Sequence, residues 1–198
     1  TVRLIRKELG TYISSKINGS FSMMDMIVLG IYVKELQADD QYLEVGVQYG
    51  KSAASAVFQA NDGVKFYFCD IADIEAPGSG FPSLLSRKEF FSVEGLNDVG
   101  EFILGDSKKI AKTWNKGKLS LIFIDGDHSY EAVKADINGW FPHLMSGGWI
   151  LFHDYDITSF GVQNAVNELV KNSDKFTDFF YAQEKYNLKS SIAGGRKV

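Results

Sequence analysis

Residues 121–130 read Leu-Ile-Phe-Ile-Asp-Gly-Asp-His-Ser-Tyr, the most informative segment of the sequence. A four-residue apolar run ends abruptly in two acids and a histidine. Apolar runs of this kind are typical of strands that are buried on both faces, as in a parallel sheet. Polar groups just past the carboxyl end of such a strand lie where open α/β sheets bind their ligands. The pattern therefore predicts that Asp125, Asp127 and His128 serve chemistry rather than packing.

A second apolar run ends in the same way. Trp149-Ile-Leu-Phe152 is followed directly by His153-Asp-Tyr-Asp156. If the two runs are neighbouring strands, their acids and imidazoles lie together at one edge of the sheet. The repeat of the pattern therefore indicates that these polar residues form a functional site.

Strands and helices alternate over most of the chain. After a helical N-terminal segment, in which Ser22 is a plausible N-cap, apolar patterns predict seven strands. They lie at 42–46, 64–69, 101–104, 119–124, 149–152, 176–182 and 186–192. The alternation predicts an α/β fold with a doubly wound, mainly parallel sheet and right-handed crossovers. The last two strands lie close enough to pair antiparallel at one edge of that sheet.

Bulk composition bounds the class of protein. With 198 residues, 45% of them hydrophobic, the chain is expected to form a single domain over 1–198, with a helical segment at 1–40 and the core at 41–198. A net charge of −4 argues against a nucleic-acid partner, whose phosphates need clustered Lys and Arg. A single cysteine, Cys69, excludes an internal disulfide. No apolar stretch approaches the roughly 20 residues of a membrane span, so a cytoplasmic enzyme is expected. A homodimer formed through the N-terminal helices is a further expectation.

The turn after the first strand reads Glu44-Val-Gly46-Val-Gln-Tyr-Gly50-Lys-Ser52. Glycines let a backbone turn tightly and approach a ligand without a β-carbon in the way. The spacing is G-x-x-x-G, whereas a dinucleotide fingerprint needs G-x-G-x-x-G and a helix terminus open to a pyrophosphate. A carboxylate at position 44 would repel a pyrophosphate and would suit a cationic ligand. The alternative is a glycine turn that serves only helix–strand packing.

Two further acids follow the next strands. Asp70 stands 24 residues past Gly46, where a carboxylate can take both hydroxyls of a ribose. Asp106, in Gly105-Asp106-Ser107, could accept a hydrogen bond from an adenine amino group or could simply cap the helix that begins at Ser107.

Taken in order, the motifs E-V-G-V-Q-Y-G-K-S, F-C-D, L-G-D-S and I-D-G-D-H-S-Y resemble class I S-adenosylmethionine-dependent methyltransferases. The run from Leu121 to Tyr155 is similar to a family that includes macrocin-type sugar O-methyltransferases and cephalosporin-hydroxylase-like proteins. The resemblance implies a Rossmann-like methyltransferase fold and S-adenosylmethionine as cofactor. The positions that it assigns to the cofactor are Glu44, Gly46, Gly50, Ser52, Asp70, Asp106, Ser107 and Asp125.

Methyl transfer needs a nucleophile held in line with the methyl carbon, and a sugar hydroxyl is a poor nucleophile near neutral pH. A divalent cation can lower the pKa of that hydroxyl, and a nearby histidine can take its proton. We interpret Asp125 and Asp154 as ligands of one cation, expected to be Mg²⁺. His128 is then the candidate general base, so that Asp125 and His128 are the predicted catalytic residues.

The third protein ligand stays open. In catechol-type O-methyltransferases the second metal-binding acid is followed by Asn, but here Asp154 is followed by Tyr155. Asp127, His153 or Asp156 could serve instead. The alternative for this loop is that Asp127 or Ser129 caps the next helix and His128 hydrogen-bonds only locally.

The sequence thus predicts an S-adenosylmethionine-dependent, metal-assisted O-methyltransferase for a small hydroxylated substrate such as a sugar or glycoside. One rival is a non-catalytic member of the fold that binds a cofactor or partner. A nicotinamide-dependent oxidoreductase is disfavoured by the missing G-x-G-x-x-G. A nucleic-acid methyltransferase is disfavoured because I-D-G-D stands where an N-P-P-Y-type tetrad would be. Residues 75–82 could form a lid over the site or a plain surface loop.

Overall fold

The computed structural model describes residues 2–17, 19–71 and 100–198. The helices are α1 (Val2–Lys16), α2 (Met23–Val33), α3 (Lys51–Gln59), α4 (Ser107–Thr113), α5 (Tyr130–Trp140), α6 (Val162–Val166), a π-helical turn (Asn167–Lys171) and α7 (Ala182–Tyr186). The strands are β1 (Gln41–Val45), β2 (Lys65–Asp70), β3 (Gly100–Leu104), β4 (Leu119–Ile124), β5 (Leu144–Phe152), β6 (Phe176–Tyr181) and β7 (Ala193–Lys197). No helix among these residues is long and apolar enough to cross a membrane. The proposed lid at 75–82 lies outside the described residues.

All seven strands form one sheet in the order β3-β2-β1-β4-β5-β7-β6. The first five pair in parallel, and β7 pairs antiparallel with both β5 and β6. The predicted doubly wound, mainly parallel sheet with an antiparallel C-terminal edge is therefore confirmed. The chain winds from β1 outward to β3 and then returns to β4 on the other side of β1. The carboxyl ends of β1 and β4 thus flank the switch point at which such sheets bind ligands.

The apolar run that ends in Asp125 is the centre of the core. All six residues of β4 are buried. Leu121 and Phe123 pack on the side of the sheet that carries α1, α2 and α3, and Ile122 and Ile124 pack on the side that carries α5 and α6. Full burial of such a side chain stabilises the fold by roughly 1.5–3 kcal/mol. A strand anchored on both faces gives the residues just after it a rigid support.

The predicted N-cap of the second helix is confirmed. The Ser22 Oγ accepts a hydrogen bond from the backbone N–H of Asp25 at 3.1 Å, and the Ser22 N–H donates to the Asp25 carboxylate at 3.0 Å. This reciprocal capping box satisfies two donors at the start of α2. It also fixes where the chain enters the helix, next to the carboxyl end of the sheet.

One predicted strand was wrong. Residues 186–192 were expected to form the last strand, but the chain ends α7 at Tyr186 and continues irregularly until β7 begins at Ala193. The true strand contains Gly194 and Gly195, and glycine weakens the strand pattern in a sequence. Only glycine fits there, because a β-carbon on Gly194 would lie 2.6 Å from the carbonyl oxygen of Ile150.

The fifth strand is also longer than predicted. The sequence predicts this strand only at 149–152, but α5 already ends at Trp140 and β5 begins at Leu144, so that Gly147 and Gly148 lie within it. Pro142 follows the helix closely, and proline cannot continue a helical hydrogen-bond ladder. Gly147 has a φ of +77°, and the register between β4 and β5 shifts in this region.

Candidate active site

A cavity of about 710 Å³ lies at the carboxyl ends of the parallel strands. The loops after β1 to β5 line it, and residues 19–21 close it on the side of the N-terminal helices. The predicted site residues that line it are Gly46, Ser52, Asp70, Asp106, Ser107, Asp125, His128 and Asp154. Two others, Glu44 and Gly50, do not reach its surface. The structure therefore gathers eight of the ten predicted residues around one space.

The glycine turn above β1 is held by its neighbours on both sides. Gly46 has a φ of +84°, and its N–H donates to the carbonyl of Cys69 at 2.9 Å. A β-carbon on Gly46 would lie 2.1 Å from the carbonyl oxygen of Asp125. The backbone after β1 thus approaches the backbone after β4 as closely as a glycine allows.

Asp70 supports this turn in addition to facing the cavity. One of its carboxylate oxygens accepts hydrogen bonds from the N–H groups of Val47 and Gln48, both at 2.8 Å. Gln48 has a φ of +47°, which an L-residue rarely adopts, so the two bonds hold an unfavourable backbone conformation. The predicted ribose contact of Asp70 stays a prediction, and its role in shaping the turn is visible in the structure.

Glu44 lies below the cavity and is completely buried. The hydroxyls of Tyr42 and Ser52 donate to its two carboxylate oxygens at 2.8 and 2.7 Å. Burial raises the pKa of Glu44 to about 8 against the opposing effect of these hydrogen bonds. Glu44 thus orients Ser52, which does line the cavity, and a direct contact of Glu44 with the cofactor remains untested.

The loop after β3 places Asp106 and Ser107 at the cavity. The Asp106 carboxylate accepts from the N–H of Lys108 at 2.9 Å, so the capping role left open by the sequence is present. The Ser107 hydroxyl donates to the buried carboxylate of Asp136 on α5. Burial raises the pKa of Asp136 to about 6, although the bond from Ser107 lowers it.

Sequence reasoning missed Asp136, which also lines the cavity. A signal was available, because Asp136 lies three residues after Val133 and one before Ile137, on the apolar face of α5. An acid in such a position needs a partner or a function.

The opposite end of the cavity holds a cluster of side chains that could bind a metal ion. Asp125, His128 and Asp154 each offer one ligand atom, and these atoms lie within 4.8 Å of one another. The Nε2 atom of His128 is 3.3 Å from the Asp154 carboxylate. Phe160 stacks on the imidazole of His128, with ring centroids 4.6 Å apart. The predicted pair of acids therefore converges, and His128 joins it as a third possible donor.

The other three candidates for a third metal ligand, Asp127, Asp156 and His153, already contact other groups of the protein. The Asp127 carboxylate accepts from the N–H of Ser129 at 2.8 Å, and Ser129 is the N-cap of α5. The Asp156 carboxylate accepts from the hydroxyl of Tyr181 at 3.0 Å. His153 lines the cavity but is only 7% exposed, and its Nδ1 atom contacts the two acids themselves.

Asp154 stands in a strained backbone conformation. Its φ of +56° belongs to the left-handed region, which costs a residue with a β-carbon about 1–2 kcal/mol. Ser191 holds the position, since its hydroxyl accepts from the Asp154 N–H at 3.1 Å and its carbonyl accepts from the Tyr155 N–H at 3.0 Å. Strained residues that their surroundings hold in place concentrate at functional sites.

His153 links the two acids from below. Its Nδ1 atom is 3.2 Å from a carboxylate oxygen of Asp125 and 3.3 Å from one of Asp154. Its Nε2 atom is 3.5 Å from the Asp25 carboxylate. Burial alone would lower the pKa of His153, but the charge of Asp125, together with the carboxylates of Asp154 and Asp25 beside the ring, raises it to about 12. The imidazolium thus offsets negative charge that would otherwise be confined in a buried space.

Fold and site together define an α/β protein with a cofactor-type cavity at its topological switch point and a cluster of carboxylates and imidazoles beside it. The chain belongs to the methyltransferase-domain family, whose model matches residues 43–155, more than half of the chain. The resemblance to methyltransferases noted in the sequence is thereby confirmed.

The chain also has a short sequence match to a viral protein and resembles solved structures in its fold. Over 54 residues the chain is 39% identical to uncharacterized protein R132 of Acanthamoeba polyphaga mimivirus, a match that spans 26% of this chain and 24% of that protein. An O-methyltransferase from Bacillus cereus, solved in complex with SAH, superposes with a TM-score of 0.67 at 16% identity, covering 97% of this chain and 90% of that one. CalS11, a TDP-rhamnose 3'-O-methyltransferase of calicheamicin biosynthesis, superposes with a TM-score of 0.61 at 14% identity, covering 87% of this chain and 77% of that one. At these identities the solved structures establish a shared fold.

Proposed function

We propose that this protein is an S-adenosylmethionine-dependent O-methyltransferase that acts on a small hydroxylated acceptor such as a sugar or glycoside, with the help of a divalent cation. The observation that carries the proposal is the convergence of Asp125, His128 and Asp154 at one end of the cavity above the glycine turn. The family supports methyl transfer, and the cluster supports a hydroxyl as the acceptor, because a poor nucleophile needs activation.

The residues of the cavity suit S-adenosylmethionine. The cofactor carries a sulfonium cation, a ribose and an adenine, but no phosphate. Acids line the cavity after β2, β3 and β4, at Asp70, Asp106 and Asp125, where a diphosphate would be repelled. The B. cereus enzyme, which shares the fold, was solved with SAH.

The donor cluster suits a hard divalent cation such as Mg²⁺. Two carboxylates and one imidazole supply part of a coordination shell, and Mg²⁺ commonly takes its other ligands from water and substrate oxygens. Asp125 and Asp154 would hold the ion, which would supply Lewis-acid activation of the acceptor hydroxyl. The buried His153 contacts both carboxylates and would hold them in place beside the ion.

His128 is assigned as the residue that takes the acceptor proton. It lies at the opening, its Nε2 atom is 3.3 Å from Asp154, and Phe160 restrains its ring by stacking. A base that a carboxylate orients in this way is typical of catalytic proton transfer. The competing role is that of third metal ligand, which the same geometry allows. Replacing His128 distinguishes the two roles. If His128 is a metal ligand, the variant loses affinity for the metal, and if His128 is the base, the variant keeps it.

The acceptor class is supported by the fold and the cluster together. CalS11, which has the same fold, is a TDP-rhamnose 3'-O-methyltransferase. In the present protein, Phe160 and Ile157 are partly exposed at the opening and offer apolar surface beside the acids. A hydroxylated ring could pack against this surface while a hydroxyl points towards His128.

The test is methyl transfer to a panel of sugars, glycosides and phenols, measured as SAH formation with and without Mg²⁺. We expect at least one acceptor to give Mg²⁺-dependent turnover that Asp125→Asn and Asp154→Asn abolish. Asp127→Asn is the matched control, because this neighbouring carboxylate lies outside the donor cluster and accepts from the N–H of Ser129. Turnover that EDTA does not reduce would contradict the role of the metal. Equal losses of turnover in all three variants would contradict the specific roles of Asp125 and Asp154.

A further inference from the structure

The N-terminal helix α2 brings a buried carboxylate to the candidate active site. Its sequence, Met-Met-Asp-Met-Ile-Val-Leu-Gly-Ile-Tyr-Val, contains one charged residue, Asp25, which is 4% exposed. An ionised carboxylate is costly to bury unless it is paired and hydrogen-bonded. Asp25 lies outside residues 43–155, the part of the chain that matches the family model.

Asp25 ties together three segments that are distant in sequence. One carboxylate oxygen accepts from the hydroxyl of Ser190 at 2.8 Å and from the N–H of Ser191 at 3.1 Å. The other accepts from the N–H and the hydroxyl of Ser22 in the capping box. Ser191 in turn accepts from the N–H of Asp154. The start of α2 is therefore joined to the strained backbone that presents a predicted metal ligand.

Asp25 also meets the imidazole between the two acids of the donor cluster. Its Oδ2 atom is 3.5 Å from the Nε2 atom of His153, in the geometry of an ion pair rather than of an aligned hydrogen bond. The Nδ1 atom on the other edge of the ring meets Asp125 and Asp154. Phe21, just before α2, packs against the same ring with centroids 5.2 Å apart. The ring is thus held by carboxylates on two edges and by an aromatic side chain on one face.

We propose that Asp25 is a positioning residue, which holds His153 in the orientation that keeps Asp125 and Asp154 at the spacing of the donor cluster. The N-terminal segment is then a working part of the active site and not an appendage to the methyltransferase domain. The role of Asp125 and Asp154 as metal ligands rests on the proposed function. The placement of His153 by Asp25 does not.

The test compares Asp25→Asn with Ser22→Ala. Asp25→Asn keeps the size of the side chain and removes the charge that faces His153. Ser22→Ala is the matched control, because it removes both bonds of the Ser22 hydroxyl, one of them to the same carboxylate, but keeps the backbone N–H bond to Asp25 and the charge that faces the ring. Three quantities are measured: the imidazole ¹⁵N signals of His153, the affinity for Mn²⁺ by electron paramagnetic resonance, and the affinity for SAH by calorimetry.

We expect Asp25→Asn to shift the His153 ring signals and to weaken Mn²⁺ binding at least tenfold, with SAH affinity changed less than threefold. Ser22→Ala should leave the ring signals in place and all affinities within threefold. Unshifted His153 signals in Asp25→Asn would overturn the proposal, and so would an equal loss of Mn²⁺ affinity in Ser22→Ala. If the wild-type protein binds no Mn²⁺, the metal-assisted function fails and the ring signals alone decide the role of Asp25.

A second variant covers the case in which Asp25→Asn does not fold. His153→Gln removes the imidazole instead of the carboxylate from the contact between Asp25 and His153. It keeps the hydrogen bonds of Asp25 with Ser22, Ser190 and Ser191. We expect it to weaken Mn²⁺ binding at least tenfold. Wild-type Mn²⁺ affinity in folded His153→Gln would contradict the proposal.

Discussion

Replacing Gly46 by alanine tests how closely the turn above β1 is fitted to the end of β4. The added β-carbon would lie 2.1 Å from the carbonyl oxygen and 2.5 Å from the carbonyl carbon of Asp125, and 2.6 Å from the Cα atom of Gly126. These neighbours are backbone atoms, so they cannot rotate away. The φ of +84° costs a residue with a β-carbon about 1–2 kcal/mol. Overpacking adds about 1–3 kcal/mol, which gives a total destabilisation of about 2–5 kcal/mol.

The assay is urea unfolding of Gly46→Ala and of a matched control, Gly126→Ala. A β-carbon on Gly126 would meet the Cγ1 atom of Val45 at 3.6 Å, an ordinary contact, so the control should lose less than about 1 kcal/mol. Because relief of the clash in Gly46→Ala requires the turn above β1 to move, and this turn lines the cavity, we also expect weaker SAH binding. Equal stability of the two variants would refute the close approach of the two strand ends.

The remaining predictions concern single side chains at the cavity. Asp70→Ala should weaken SAH binding roughly 10- to 100-fold, since hydrogen bonds to a charged group contribute about 1.5–3 kcal/mol; calorimetry that finds unchanged affinity would contradict the ribose assignment. Because burial raises the pKa of Asp136 to about 6, folding favours its protonated form, and the unfolding free energy of the wild type should fall relative to Asp136→Asn by up to roughly 3 kcal/mol as pH rises from 4 to 7. Parallel stability–pH curves for the two proteins would argue against that shift. His128→Ala should keep Mn²⁺ affinity within threefold if His128 is the base, and a tenfold loss would make it a metal ligand instead.

The positions of the strand-end acids can be predicted from the sequence because they depend on local patterns. The apolar runs that end at Ile124 and Phe152 form buried parallel strands, and neighbouring parallel strands present their carboxyl-terminal residues at the same edge of the sheet. These patterns are enough to predict that Asp125 and Asp154 lie close together. The same patterns also predict the order of strands and helices along the chain as far as β5.

The residues that were missed depend on contacts between distant parts of the chain. Asp25 meets Ser190 across 165 positions, and no local pattern reports such a pair. A signal existed nevertheless, since an acid within an otherwise apolar helix must find partners when that helix is buried. The last strand was missed for a different reason: Gly194 is required by its close approach to β5, and glycine does not resemble a strand residue in a sequence.

Isothermal calorimetry of the purified protein with SAH, with and without Mg²⁺, tests whether the cavity above the parallel strands binds this cofactor. We expect micromolar binding of SAH, with Mg²⁺ binding to the same protein unless Asp125 is replaced by Asn. Absence of SAH binding under both conditions, with a folded protein, would contradict the assignment of this cavity to S-adenosylmethionine.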